Sequence, residues 1–201
     1  MTKQCLYLIT DFSYGEEKIA QALQAGVDYV QLREKEISSA EYLCRARRIR
    51  EMVQKWPAKL IINDRLDIAL LCGADGVHLG QSDIPAADAR RLAGKDFIIG
   101  VTAKTPEQAA KAQADGADYL GSGAWYSTNT KKDAVPISDD AYRAILSAAP
   151  LPNVAVGGLT VENCDRPLLL GASGLAVSAG IMASGNIPET IRMFREKLSR
   201  F

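Results

Sequence analysis

The sequence predicts an α/β fold, a compact (βα)8 TIM barrel, from two observations. First, short apolar runs of strand length alternate with helical patterns eight times along the 201 residues, and no interior stretch has the composition of a linker. Second, the segments AGVDYVQL, CGADGVHL, DGADYLGS and LGASGLAV repeat one unit, in which a helix stop and a small polar residue precede every second strand. Four similar quarters favour a closed barrel that takes up residues 1–201 as one domain. An open, doubly wound sheet is the alternative, but it requires a glycine-rich fingerprint after the first strand, where the chain reads TDFS.

Each element follows from a local pattern. The first strand is an apolar run from Cys5 to Thr10, and the segment from Ser38 to Glu41 resembles a capping box that opens the second helix. Gly73 is expected to end the third helix in a left-handed conformation. The predicted strands are 5–10, 27–32, 60–62, 76–79, 97–101, 119–121, 153–156 and 174–177, and the predicted helices are 16–24, 39–56, 67–72, 85–92, 105–115, 139–149, a short segment after 160, and 188–198.

The composition limits the classes of partner. Lysine plus arginine equals aspartate plus glutamate at 24 each, so no global charge attracts nucleic acid or an anionic membrane. The four cysteines are scattered without metal-ligand or redox spacing, and no apolar run approaches the roughly 20 residues of a membrane helix. The N-terminal segment is too short for a signal peptide. We therefore expect a cytoplasmic protein with buried, reduced thiols and with neither nucleic acid nor membrane as a partner.

Two carboxylates stand at the ends of two successive buried strands. Asp64 follows the apolar run from Leu60 to Ile62, and Asp83 follows the strand from Gly76 to Leu79 through a short polar turn. The carboxyl ends of parallel strands share one rim, so both side chains can face the same small volume. Two hard oxygen ligands suit a Mg²⁺ ion that keeps its waters and is completed by substrate phosphate. The alternative is that each aspartate is a solvated cap of the following helix.

Cations and glycine turns provide two kinds of anion site on this rim. Arg33 and Lys35 alternate after the second strand, and together with Lys131 and a magnesium ion they suit a diphosphate. Thr128, Thr130 and the glycine turns after strands seven and eight suit a monophosphate, which hydroxyl and backbone N–H groups can hold. A diphosphate held by a metal and cations is a leaving group whose developing charge is stabilised. These features indicate transfer of a group from a diphosphate ester to a phosphorylated acceptor.

Three features have a second interpretation. The cluster Arg33 to Glu36 is also compatible with a solvated charged turn. The single histidine, His78, lies within a strand, which favours an oriented pocket or core residue over a metal ligand or general base. Trp125 and Tyr126 fit a loop anchor as well as a stacking surface.

Five segments resemble the thiamine phosphate synthase family, in order through nearly the whole chain. They are QLREK at 31–35, NDRLDIAL at 63–70, ADGVHLGQSD at 74–83, TNTKKDA at 128–134 and AVGGL at 155–159. The resemblance implies a transferase that condenses 4-amino-2-methyl-5-(diphosphooxymethyl)pyrimidine with a thiazole phosphate in a Mg²⁺-dependent step. In the family the diphosphate departs first and leaves a pyrimidinylmethyl cation, which the thiazole nitrogen captures.

By motif position, the resemblance implies a role for each rim residue. Asp64 and Asp83 would bind Mg²⁺. The diphosphate would be held by Arg33, Lys35, Asn63, Thr102 and Lys131, of which Arg33, Lys35 and Lys131 would be the catalytic residues. The implied substrate-binding residues are Gln31, which would meet the pyrimidine, Leu32, Arg33, Glu34, Lys35, Asn63, Thr102, Thr128, Asn129, Thr130, Lys131, Gly158, Val177 and Ser178.

The chain departs from the family pattern in two loops. The family's GPIFPT reads GAWYST at 123–128, which bears on loop stiffness and thiazole specificity, and its VSAI reads VSAGI at 177–181. Thiazole tautomerases share the fold and much of the rim but carry a histidine after strand five, where this chain has Thr102 and Lys104. The tautomerase is therefore the second enzyme hypothesis, and a non-catalytic phospholigand-binding regulatory barrel is the third.

Overall fold

Strands of four to six residues form a closed sheet in the part of the chain that the computed structural model describes, residues 4–127 and 136–201. They are β1 (Cys5–Thr10), β2 (Tyr29–Leu32), β3 (Lys59–Asn63), β4 (Gly76–Leu79), β5 (Ile98–Thr102), β6 (Tyr119–Ser122), β7 (Asn153–Val156) and β8 (Gly174–Val177). Each strand pairs in parallel with its neighbours in chain order, and β8 pairs with β1. The predicted (βα)8 TIM barrel is confirmed.

Helices follow the strands on the outside of the barrel. They are α1 (Glu16–Gln24), α2 (Ser39–Val53), α3 (Leu66–Cys72), α4 (Ala86–Ala93), α5 (Pro106–Ala114), α6 (Asp139–Ala148), α7 (Asp165–Leu169), α8 (Ala179–Met182) and α9 (Ile187–Leu198). The predicted bounds of β1, β4, β7 and β8 are confirmed, and those of the other four strands differ by one or two residues.

Local backbone geometry explains where the second and third helices end. Gly73 ends α3 with φ 67°, the left-handed conformation that glycine adopts without a Cβ penalty, as predicted. The second helix ends at Val53 rather than at 56, because Lys55 and Trp56 close tighter turns onto Met52 and Val53. Two short elements were not predicted: α8 and a 3₁₀ turn at Phe12–Tyr14.

Alternation along the strands divides the core into two layers. Leu6 and Leu8 of β1 pack outward among the helices, whereas Cys5 and Tyr7 point into the barrel. The inner layer consists of Cys5, Tyr7, Tyr29, Ile61, Tyr119, Val154 and Ala176. Three tyrosines in this layer bring hydroxyl groups into the barrel interior.

The sequence repeat has its structural cause at the amino-terminal ends of the strands. A side chain just before each even-numbered strand accepts a hydrogen bond of 2.7 to 3.3 Å from a backbone N–H near the start of the preceding odd-numbered strand. The acceptors are Asp28, Asp75, Asp118 and Ser173, and the donors are Leu6, Leu60, Ile99 and Asn153 respectively. Each acceptor residue also donates its own backbone N–H to the carbonyl of its donor, so every quarter is closed by a reciprocal pair.

Arginines complete this end of the barrel. The three acids, here called the amino-rim aspartates, pair at 2.6 to 2.9 Å with one arginine each. The pairs are Asp28 with Arg195, Asp75 with Arg50, and Asp118 with Arg90.

The structure also bears on two features that the composition raised, membrane-spanning helices and the state of the cysteines. Within the described ranges, none of the helices combines the length and the apolar character that a membrane crossing requires. All four cysteines are free, and Cys5, Cys72 and Cys164 are buried, whereas Cys44 is exposed on α2. The expectation of buried thiols is therefore wrong for Cys44, because its position on α2 faces solvent.

Candidate active site

A cavity of about 680 Å³ opens at the carboxyl-terminal ends of the strands. One wall is apolar and is formed by Ile9, Val154, Val156 and Ala176 from β1, β7 and β8. The opposite wall is charged and carries Arg33, Lys35, Asp64 and Asp83. A flat, uncharged ring and a polyanion can therefore lie side by side in one cavity.

Asp64 and Asp83 converge on this charged wall. Their carboxyl groups are close enough to shift each other's pKa, and Lys35 Nζ lies 2.5 Å from Asp64 Oδ2. Asp83 Oδ2 accepts a 2.6 Å hydrogen bond from the backbone N–H of Gly80. Neither residue caps a helix, since the N-cap positions of α3 and α4 are Arg65 and Pro85. The alternative interpretation as two solvated helix caps is therefore wrong.

The backbone directs Asp64 into the cavity. Its φ is 64°, in the left-handed region that an aspartate adopts at some cost, and its N–H donates to the carbonyl of His78 across the β3–β4 pair at 2.8 Å. Non-glycine residues in this region concentrate at functional sites, where the surrounding structure holds them.

The two acids differ in how readily they bind a proton. Burial would raise the pKa of Asp64, but the hydrogen bond and charge of Lys35, together with the contact to Asp83, outweigh burial and hold that pKa below its usual value. Burial raises the pKa of Asp83, and the neighbouring charge of Asp64 raises it further, against the effect of the Gly80 N–H. Two like charges in contact are thus only partly compensated by Lys35.

This donor set fits a hard divalent cation. Two carboxylates with unequal proton affinities and one exposed lysine leave negative charge that a metal would neutralise. The described residues contain no group of three or more His, Cys, Asp or Glu side chains placed to hold a metal. The remaining ligands of an ion here would be waters and substrate oxygens, the coordination that Mg²⁺ prefers.

A polar network crosses the barrel along the floor of the cavity. Gln31 Nε2 donates to Tyr7 Oη at 2.8 Å, and Tyr7 Oη lies 2.9 Å from Tyr119 Oη. His78 connects the other side, with Nδ1 at 3.0 Å from Tyr119 Oη and Nε2 at 3.0 Å from Thr102 Oγ1. Burial lowers the pKa of His78 to about 4, so the ring is neutral at pH 7. We call these five residues the barrel network.

The turns after β7 and β8 form the third side of the cavity. Gly157 and Gly158 have φ of 101° and 67°, and a Cβ on Gly158 would lie 2.7 Å from the carbonyl oxygen of Ser127. Gly158 and Ser178 both line the cavity, as predicted from the glycine turns. Glycine is required here because the Tyr126–Ser127 backbone passes so close.

Only some of the other predicted residues line the cavity. Gln31, Asn63 and Thr102 line the cavity. The side chains of Leu32 and Val177 instead pack in the outer core layer, so contact with a ligand would have to come from their backbone. Glu34 accepts hydrogen bonds from the Phe12 N–H at 3.0 Å and from Arg45 at 2.9 Å, away from the cavity.

The loop after β6 is described only in part. Thr128, Asn129, Thr130 and Lys131 lie outside the described residues, and their roles stay predictions. Trp125 is 2% exposed and packs edge-on against Tyr142 with ring centroids 4.7 Å apart. Trp125 is therefore a loop anchor rather than a stacking surface in the cavity.

Sequence reasoning missed Tyr7, Tyr119 and Gln81. All three line the cavity, and Gln81 Nε2 donates to the Thr102 carbonyl at 2.6 Å. The available signal was the alternation of β1, which places Tyr7 on the inner face.

Comparison with known proteins identifies the family. A family model described as thiamine monophosphate synthase matches residues 6–181. This chain belongs to that family. It is 45% identical to the thiamine-phosphate synthase of Methanobrevibacter smithii over 90% of this chain and 88% of the relative, and 42% identical to that of Clostridium acetobutylicum over 94% and 92%. The resemblance drawn from the five segments is confirmed.

Solved structures agree with this assignment. The thiamine phosphate pyrophosphorylase of Pyrococcus furiosus superposes with a TM-score of 0.89 at 31% identity, covering 99% of this chain and 97% of that one. A 3-hexulose-6-phosphate synthase superposes with a TM-score of 0.74 at 15% identity over 98% and 99% of the two chains, which shows the shared barrel fold. The family's function is the condensation of a pyrimidine with a thiazole phosphate, and its members are metal-dependent transferases.

Proposed function

We propose that this chain condenses 4-amino-2-methyl-5-(diphosphooxymethyl)pyrimidine with a thiazole phosphate, giving thiamine phosphate and pyrophosphate. The observation that carries the proposal is the two-sided cavity, in which the Asp64–Asp83–Lys35 cluster faces an apolar wall. Membership of the thiamine monophosphate synthase family supports the same reaction.

The substrates divide between the two sides of the cavity. The pyrimidine ring lies against the apolar wall, with its polar edge at Gln31, and the diphosphate lies at Arg33 and Lys35. None of the ion pairs in residues 4–127 and 136–201 includes Arg33, so its charge is available to a ligand. Gly158 and Ser178 border the space for the thiazole phosphate. Thr128 and Thr130, which lie outside the described residues, are proposed from the sequence to bind the same phosphate.

The reaction needs two bond changes. The C–O bond between the pyrimidine methylene and the diphosphate breaks, and its electron pair leaves with the diphosphate oxygen. Arg33 and Lys35 stabilise that departing charge, and Lys131 is proposed to do the same. The lone pair of the thiazole nitrogen then forms the new C–N bond, so the protein's main tasks are to orient two substrates and to exclude water from the cation.

Mg²⁺ is the proposed cofactor. Asp64 and Asp83 would hold it, since their carboxyl groups meet on the cavity wall and are incompletely neutralised by Lys35. When bound, the ion would supply Lewis-acid stabilisation of the diphosphate oxygens. Small-molecule substrates are the proposed partners, and we propose a cytoplasmic location and one domain over residues 1–201.

A turnover assay tests the proposal. The purified chain is incubated with both substrates, with and without Mg²⁺, and pyrophosphate and thiamine phosphate are quantified. We expect both products in equal amounts and only with the metal. A control with the thiazole phosphate tautomer alone tests the competing activity: isomerisation without coupling would replace the synthase with a tautomerase, and binding without either reaction would favour a regulatory barrel.

A further inference from the structure

The barrel network consists of groups that are neutral at pH 7. Among the described residues, the ring nitrogens of His78 contact only the hydroxyls of Tyr119 and Thr102, so no carboxylate holds the ring protonated, and burial raises the pKa of the Tyr7 and Tyr119 hydroxyls above the usual value. A neutral imidazole has one donor and one acceptor nitrogen, and a tyrosine hydroxyl has one proton to donate. Every hydrogen bond in the network therefore has a direction, and the directions depend on each other.

Two arrangements make all four hydrogen bonds and also give the hydroxyl proton of each tyrosine an acceptor. In the first, Gln31 Nε2 donates to Tyr7, Tyr7 donates to Tyr119, Tyr119 donates to His78 Nδ1, and His78 Nε2–H donates to Thr102. In the second, all four directions reverse and the Gln31 amide turns over, so that its carbonyl oxygen accepts from Tyr7. In a mixed arrangement one tyrosine oxygen accepts from both of its neighbours, so that its own buried hydroxyl proton has no acceptor, which costs roughly 1–3 kcal/mol.

All five residues of the barrel network line the cavity, and its two ends, Gln31 and Thr102, are the groups whose free donor or acceptor changes between the two arrangements. In the first arrangement Thr102 receives a proton from His78 and donates its own hydroxyl proton into the cavity, while the Gln31 carbonyl oxygen is free to accept. In the second, Thr102 presents lone pairs, which an anionic oxygen would repel.

Glycines on β5 and β6 make room for the network. A Cβ on Gly100 would lie 2.1 Å from Cζ of Tyr119, and a Cβ on Gly121 would lie 3.0 Å from Cε1 of His78. The Tyr119 ring thus occupies the space that a side chain on β5 would take. Its hydroxyl reaches Tyr7 of β1, 112 residues away in sequence.

We propose that the barrel network couples the two ends of the pyrimidine diphosphate: an anionic oxygen at Thr102 selects the first arrangement, which fixes the Gln31 carbonyl as the acceptor for the ring's amino group. Tyr7, Tyr119 and His78 are positioning residues that act through Gln31 and Thr102. The inference rests on the proposed function and adds to it the origin of discrimination between a 4-amino and a 4-oxo ring. The amino ring presents an amino donor beside a ring nitrogen that accepts. A 4-oxo ring presents the reverse, a carbonyl acceptor beside a ring N–H that donates. The 4-oxo ring therefore needs the Gln31 amide in the opposite orientation, with its NH₂ group toward the ring carbonyl.

Tyr7→Phe tests the coupling, with Tyr29→Phe as the matched control. Tyr29 stacks on Tyr7 with ring centroids 5.5 Å apart and belongs to the same buried layer, but it is outside the network and does not line the cavity. The kcat/KM values for the amino substrate and its 4-oxo analogue are measured in the parent, Tyr7→Phe and Tyr29→Phe proteins. Thermal unfolding and circular dichroism check that each variant is folded.

We expect Tyr7→Phe to lower the amino-to-oxo ratio of kcat/KM by about 10- to 100-fold, because Gln31 loses the partner that fixes its amide. Tyr29→Phe should keep the ratio within about twofold, as expected for a contact that carries no hydrogen bond. An unchanged ratio in a folded, active Tyr7→Phe protein would overturn the coupling. Failure of the parent protein to release pyrophosphate from the amino substrate would instead overturn the proposed function.

A binding measurement checks the coupling without turnover. Inorganic pyrophosphate should tighten binding of the 4-amino-5-hydroxymethyl pyrimidine to the parent protein and to Tyr29→Phe, and should have little effect on Tyr7→Phe. Equal tightening in all three proteins would contradict the proposal, because the anion would then act independently of Tyr7.

Discussion

The two ends of the barrel use aspartate in opposite ways. Each amino-rim aspartate accepts a backbone N–H of a neighbouring strand and pairs with an arginine, so its charge is satisfied within the fold. At the carboxyl rim, Asp64 and Asp83 lie side by side. Among the described residues, Lys35 is the only lysine that compensates their charge. Satisfied acids stabilise a structure, whereas incompletely compensated ones retain the capacity to bind a cation. We therefore expect substitutions at the carboxyl rim to lower activity and substitutions at the amino rim to lower the free energy of unfolding.

The largest expected effect is that of Asp64→Asn on activity. Asparagine tolerates the left-handed φ of this position but replaces an anionic metal ligand with a weaker, neutral one, so kcat/KM should fall by about 10³-fold or more. The free energy of unfolding should change by at most about 1 kcal/mol, because the pair with Lys35 is partly exposed. Steady-state pyrophosphate release and urea unfolding measure the two quantities.

Asp67→Asn is the matched control for that variant. Asp67 lies three residues further on α3, is exposed and pairs with Arg65 outside the cavity. Its substitution should leave kcat/KM within about twofold of the parent value. A comparable loss of activity in both variants would show that the Asp64 result reflects general charge rather than a ligand position.

Lys35→Met should lower kcat by about 10²-fold, because the departing diphosphate loses one fixed positive charge. Lys35 is 52% exposed, so stability should be nearly unchanged. Rapid-quench measurement of a single turnover separates this effect on chemistry from product release. Unchanged single-turnover rates would remove Lys35 from the chemical step.

Asp75→Asn should show the opposite pattern at the amino rim. The substitution leaves Arg50 without its partner and weakens acceptance of the Leu60 N–H, so the free energy of unfolding should fall by about 2 kcal/mol. The kcat of the folded protein should stay near the parent value. Loss of turnover without loss of stability would break the distinction between the two rims.

The effect of Asp83→Asn on the free energy of unfolding should depend on pH. Burial raises the pKa of Asp83, so the protonated form favours the folded state; its stabilising contribution is present below the unfolded pKa and is lost as pH rises through the raised folded pKa. Asparagine mimics the protonated group at every pH, so the variant should be as stable as the parent at pH 3 and equally or more stable at pH 7. Urea unfolding at both pH values measures the difference, and lower stability of the variant at pH 7 alone would contradict the assignment.

The smallest effect is expected for His78, the single histidine of the chain. Burial lowers its pKa to about 4, so its contribution to stability is present above the unfolded value near 6.5 and declines as pH falls toward 4. The one imidazole signal in an NMR titration should show no transition between pH 5 and 8. A transition in that range would mean that His78 becomes charged within the barrel network. The hydrogen bonds of the network would then not have the directions described above.

Much of the barrel was predictable from sequence, because strand alternation and helix stops are local signals. The acids Asp64 and Asp83 were predictable because the carboxyl ends of parallel strands share one rim. Period-two alternation also places Gln31, Arg33 and Lys35 on one side; applied to the intervening positions, it would have placed the Leu32 side chain in the outer core, where the structure has it.

The barrel network was not predictable, because it depends on contacts between distant strands. Tyr7 and Tyr119 meet only after β1 and β6 are placed in the barrel, and Tyr119 fits because Gly100 has no side chain. Trp125 illustrates the reverse case. The loop sequence suggested that Trp125 bears on thiazole specificity, yet its indole packs against Tyr142 of α6.

Binding of Mn²⁺ in the presence of inorganic pyrophosphate shows whether Asp64 and Asp83 hold a metal, because Mn²⁺ takes the same oxygen ligands as Mg²⁺ and is visible by electron paramagnetic resonance. We expect one bound ion per chain in the parent protein and in Asp75→Asn, and loss of that ion in Asp64→Asn and Asp83→Asn. Undiminished Mn²⁺ binding in both carboxyl-rim variants would contradict this expectation.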